Sequence, residues 1–145
     1  MLRNSSVATV LTLSIIAGIA LMSGCSKPVD YTGSWQGDRQ LETAKTAPEH
    51  IRGTINRVKL TLDRNGRFEY TEFGLVYKGR VEETADEFRL HRETFLDQKL
   101  EASDPRALEP VVVSKDKKGE QLSIAEDPNM SGSAVHLIRV VSKPE

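Results

Sequence analysis

The residues of this chain equipped for chemistry are few, and their spacing narrows what they do. Cysteine occurs once, at Cys25, among 145 residues. A lone thiol makes no internal disulfide and no multi-thiolate metal site, which leaves nucleophilic work or covalent modification. His50, His91 and His136 match no metal spacing such as two His four apart on one helix. Strand pairing that brings His91 and His136 together stays open, but nothing in the sequence requires it. The acidic pairs Glu82-Glu83 and Asp86-Glu87 flank an apparent turn. Adjacent strand residues face opposite ways, so these pairs read as a solvated edge rather than an acid–base couple. Asp63-Arg64-Asn65-Gly66 begins like a calcium loop but lacks the third acidic position, and Glu72, six residues after the glycine, falls in an apparent strand. No G-x-S-x-G elbow and no phosphate-binding loop is present. The expectation is a non-enzyme with no metal and no cofactor.

Cys25 takes its meaning from what precedes it. Met1 to Ser6 is polar and carries Arg3. Val7 to Met22 is an apolar run of 16 residues broken only by small ones, below the ~20 needed for a comfortable membrane span. Ser23 and Gly24 are small. That order is the order of an export signal. The competing reading, an uncleaved membrane anchor, calls for a longer run and more basic flanking than Lys27 alone. Leu21-Met22-Ser23-Gly24-Cys25 resembles the lipobox of bacterial lipoproteins, with Met22 where that family prefers Leu. The resemblance implies a diacylglyceryl group on the Cys25 thiol and cleavage between Gly24 and Cys25. One acyl chain binds a membrane only reversibly, at ~0.8 kcal/mol per methylene, whereas two or three hold firmly. Ser26, in lipoproteins resembling the enterobacterial kind, implies the outer membrane facing the periplasm rather than the inner one.

The chain therefore divides into a signal peptide (1–24), a lipidated tether (25–30) and one domain (31–145). Five or so tether residues at ~3.3–3.6 Å each reach at most roughly 20 Å, which holds the domain close to the lipid. The mature chain of about 120 residues suits one modest core. Loss of Arg3 takes the net charge from −1 to −2. That balance, with no basic stripe, excludes an electrostatic nucleic-acid binder.

The elements that must position any site are short strands between turn residues. Tyr31–Gly37 is the first. Val58, Leu60 and Leu62 alternate with Lys59, Thr61 and Asp63, so Arg57–Asp63 is a half-buried strand. Asp63-Arg64-Asn65-Gly66 supplies a tight turn into Arg67–Phe73. Leu75–Glu82 continues the meander, and Thr84-Ala85-Asp86 turns it into Glu87–Phe95. Val111–Ser114 and Gln121–Ala125 flank a charged hairpin loop, and Ala134–Val141 is the last strand. Gln40–Pro48 is expected to be a polar loop or short helix. Leu96–Pro110, with Leu96 and Leu100 at helical spacing, is expected to be a lid or connection. The expected fold is all-β, a small antiparallel meander of about seven or eight strands closing into a barrel or half-barrel.

Gly33-Ser34-Trp35 resembles the Gly-x-Trp motif of lipocalins and related calycin barrels. The resemblance implies that Trp35 plugs one end of the barrel, with a late arginine, here Arg139, packed across the indole. The function expected first is a non-catalytic envelope lipoprotein that binds a partner protein or another envelope component. The alternative is a lipocalin-like carrier or sensor of a small apolar ligand, with Phe68, Tyr70, Tyr77 and Phe88 as candidate lining residues.

Overall fold

Alternating apolar and polar residues become strands when one face of the chain is buried and the other solvated. In the computed structural model, which describes residues 28–41, 43–125 and 133–141, this alternation produces an antiparallel sheet that closes on itself. The strands are β1 (Gly33–Asp38), β2 (Arg57–Leu62), β3 (Arg67–Glu72), β4 (Leu75–Glu83), β5 (Glu87–Phe95), β6 (Gln98–Lys99), β7 (Val111–Lys115), β8 (Gln121–Ile124) and β9 (Val135–Arg139). Pairing runs from β1 through β5, then to β7, β8 and β9, and β9 returns to β1 through Trp35 opposite Arg139 and Gln36 opposite Ile138. β6 is a two-residue flap on the end of β5. The result is a closed eight-stranded up-and-down barrel. Cys25, Gly24 and the rest of the expected signal lie outside the described residues.

The core sits inside the barrel. Val58, Leu60 and Leu62 of β2, Phe68 and Tyr70 of β3, Phe88 and Leu90 of β5, Leu122 and Ile124 of β8, and Val135 and Leu137 of β9 form one contiguous buried cluster with Trp35 and Val113. The alternate residues of the same strands point outward and carry charge, with Arg67 and Arg80 both meeting Glu93 across β3, β4 and β5. A bulge sharpens the turn of the wall between β4 and β5. Lys78 faces Thr94 and Gly79 faces Arg92, so Glu93 is the extra residue. Gly79 is required there, because a Cβ at this position would lie 1.9 Å from the His91 carbonyl oxygen.

Three segments depart from the sequence expectation. β1 starts two residues late, at Gly33 with φ +115°, because Tyr31 and Thr32 bend across the barrel end. After β1 the chain makes a 3-10 turn (Thr43–Thr46) and a helix, α1 (Glu49–Asn56), that runs beyond the expected loop and buries none of its residues. Leu96 and Leu100 do not share a helix. Leu96 and Asp97, at φ +47° and +62°, form the tight turn between β5 and β6, and a short helix, α2 (Pro105–Leu108), follows, capped by Asp104.

Candidate functional site

Both ends of the barrel are closed by side chains, one by Trp35 of β1 and the other by Arg39, the residue that follows β1. At the end where the chain enters, Trp35 points inward and is 1% exposed. Its indole N–H donates to the Tyr31 carbonyl at 2.9 Å. The Arg139 guanidinium carbon stands 4.4 Å from the centre of the Trp35 ring, and Arg139 donates to the carbonyls of Thr32 (2.5 Å) and Asp30 (2.6 Å). Tyr31 meets Phe88 edge-on at 5.4 Å. Lys115 lies over both the Phe88 and Tyr31 rings and pairs with Glu83. Aliphatic stems and ring faces thus exclude water while each cation keeps an acceptor.

The opposite end is closed by ionic groups. Arg39, four residues after Trp35 on the same side of the chain, is 1% exposed. Its Nη1 donates to the carbonyls of Ala125 (3.1 Å) and Ser133 (2.7 Å). Its Nε is 2.7 Å from Glu72 Oε1, close enough to pair as charges though not aligned as a hydrogen bond. The Tyr70 hydroxyl donates to Glu72 Oε2 at 2.5 Å. Burial first, and then the neighbouring Glu72 charge, push the Tyr70 hydroxyl well above the usual tyrosine range. Tyr77 stacks between Tyr70 and Phe95, at 6.3 and 5.2 Å between ring centres. Arg92 lies over Tyr77, and Arg106 over Phe95. Arg106 is held by both oxygens of Asp104, whose carboxyl it lowers to about 2 through side-chain and backbone hydrogen bonds.

The candidate lining residues are therefore not gathered around one cavity. Phe68, Tyr70 and Phe88 belong to the packed core, and Tyr77 is packed against it from the Arg39 end. Phe88 also floors, with Leu62 and Val81, a cleft of about 220 Å³ beside Tyr31. A second cleft, of about 290 Å³, lies outside the barrel and is lined by His50, Gly53, Thr54, Arg57, Lys59, Thr71 and Gly74.

The histidines stand apart, since β7 and β8 separate β5 from β9. His91 Nε2 is 2.8 Å from Glu82 Oε2, and this hydrogen bond lowers the Glu82 carboxyl. His136 Nδ1 is 2.9 Å from the Ser123 hydroxyl on the outer wall. Among the described residues no three of His, Cys, Asp and Glu are placed to hold a metal ion. Sequence reasoning missed Arg39 and Glu72. Their visible signals were inward parity, which Arg39 shares with Trp35 and Gly37, and Glu72 with Phe68 and Tyr70. Comparison with models of protein families, with curated proteins and with solved structures finds no match to this chain.

Proposed function

We propose that this chain is a lipid-anchored cell-envelope protein whose barrel is a non-catalytic recognition module. The observation that carries the reading is the filled interior. Buried side chains pack the barrel from Trp35 to Tyr70, and the plugs of Arg139 and of Arg39 with Glu72 close its two ends. Ligand sites of drug size usually need a concavity of roughly 300–1,000 Å³. With its centre occupied, a barrel of this kind recognises through its loops and outer wall. The export signal and the lipobox-like run ending at Cys25 supply the membrane address. Ser26 favours the outer membrane, facing the periplasm.

The anchor also orients the module. Val29 packs on the turn that contains Gly119, and the Tyr31 hydroxyl donates to the Asp116 carbonyl, so the chain enters at the Trp35 end. That end faces the lipid, and the Arg39 end, with α1, β6 and α2, is presented to the envelope space. A second reading, a lipocalin-like carrier of a small apolar ligand, is favoured by the cleft of about 220 Å³ floored by Leu62, Val81 and Phe88. Its size accommodates only part of such a ligand.

The anchoring is tested by expressing the chain and its Cys25→Ser variant in a bacterium and measuring intact mass and membrane partition. The expected wild-type product starts at Cys25, carries a diacylglyceryl mass and stays with the membrane, and the variant does neither. A wild-type chain recovered unmodified in the soluble fraction sinks the reading.

A further inference from the structure

The outer cleft between α1 and the wall of β2 and β3 has a chemistry that the recognition reading does not use. We propose that it binds a soluble phosphate ester. Its lining brings together the basic side chains of Arg57 and Lys59, the imidazole of His50 and the hydroxyls of Thr54 and Thr71, and includes no carboxylate. Arg57 donates through Nε to Asp38 at 2.9 Å, which leaves its two Nη groups without a protein acceptor among the described residues. Lys59 and His50 make no ion pair among those residues either. Two cations and two hydroxyls converging on one concavity suit an oxyanion with several acceptor atoms, and a guanidinium edge suits phosphate in particular.

The backbone points the same way. Gly53 sits inside α1, where glycine costs roughly 1 kcal/mol relative to alanine. No packing demands it, because a Cβ there would meet nothing within 4 Å. It lines the cleft instead, where a bare backbone lets a ligand approach closely. α1 buries no residue against the barrel, so this wall is free to adjust around an occupant.

Phosphate of this kind reaches an envelope protein from a soluble ester or from a lipid headgroup. Arg57 lies at the opposite end of β2 from Leu62, which floors the tether-end cleft. Five steps of strand at ~3.3 Å set Arg57 ~17 Å from Leu62, further from the chain's entry point. The choice of a soluble source rests on the anchored reading. The site itself does not.

The test uses the full-length chain in neutral detergent at low ionic strength, where an exposed site is least screened. Inorganic phosphate and glycerol 3-phosphate are titrated by NMR, and phosphatidylglycerol vesicles form a separate arm. The expected result is saturable binding of the soluble probes with shifts at Thr54, Lys59, Thr71 and Gly74. Lys59→Glu and, independently, Arg57→Gln each weaken binding by about tenfold or more at unchanged melting temperature. Non-saturable shifts, or an affinity in both variants unchanged from that of the parent chain, overturn the site. Vesicle binding that needs Lys59 while soluble phosphate stays unbound overturns the soluble source.

Discussion

Trp35 and Arg139 are paired residues of the first and last barrel strands, and the guanidinium of one covers the indole of the other at 4.4 Å. This contact closes the sheet and caps one end of the barrel at once. Arg139 also ties down the incoming chain through two carbonyls. A cation–π contact contributes ~0.5–2 kcal/mol, and hydrogen bonds from a charged donor ~1.5–3 kcal/mol. Arg139→Ala is expected to lower stability by about 2–4 kcal/mol in urea unfolding, and Arg139→Lys to recover part of it. A loss under ~0.5 kcal/mol for the alanine variant contradicts a capping role.

Two glycine-to-alanine changes should move stability in opposite directions. At Gly79 the new Cβ meets the His91 carbonyl at 1.9 Å inside the bulged β4–β5 pair. Overpacking of this kind costs about 1–3 kcal/mol or more. At Gly53 the Cβ meets nothing, and alanine favours the helix by about 0.5–1 kcal/mol. Thermal melts of the two variants shifting the same way would contradict the described backbone.

The Arg39–Glu72 pair is buried, so removing one partner is worse than removing both. Glu72→Leu leaves the Arg39 charge without its counter-ion and is expected to cost about 3 kcal/mol. Arg39→Met with Glu72→Leu is expected to recover more than half of that loss. Equal destabilisation by the single and double variants in a double-mutant cycle would remove the ionic plug from the account.

Tyr70 sets a limit on alkaline stability. Its hydroxyl titrates higher in the folded chain than in the unfolded one, through burial and the Glu72 charge. The stabilisation is therefore complete below the unfolded value of about 10 and is lost as pH rises above it toward the folded value. Tyr70→Phe lacks this group, so its stability should fall less steeply above about pH 10. Parallel curves for the two proteins would show that Tyr70 is not the titrating group.

Asp104 works at the acid end. Its carboxyl is lowered to about 2 by Arg106, so its contribution is present above its unfolded value and is lost as pH falls through about 2. The carboxylate resonance of Asp104 should titrate near that value, with α2 amides exchanging faster as it protonates. An ordinary midpoint near ~4 would mean that Asp104 does not hold Arg106 in solution.

What the sequence made legible is what depends on neighbours in the chain. Period-two alternation marked Glu87–Phe95 at both ends, and Asn65-Gly66 marked the hairpin before Arg67, where Gly66 takes φ +74°. What it hid depends on distant partners. Arg39 looks like any solvated arginine until Ser133, 94 positions away, and Glu72 surround it. α1 escaped notice because its apolar stripe is only Ile51 and Ile55, four apart in eight residues with Gly53 between them. The bulge at Glu93 inserts one residue into a strand whose alternation had otherwise been regular.

A barrel whose interior is filled by its own side chains holds no small molecule. Native mass spectrometry tests this most directly. The Cys25→Ser chain is sent to the periplasm behind a cleavable non-lipoprotein signal and purified without detergent. The expected mass is that of the protein alone. A reproducible additional mass of a few hundred daltons, lost on unfolding, would contradict it and make the barrel a carrier.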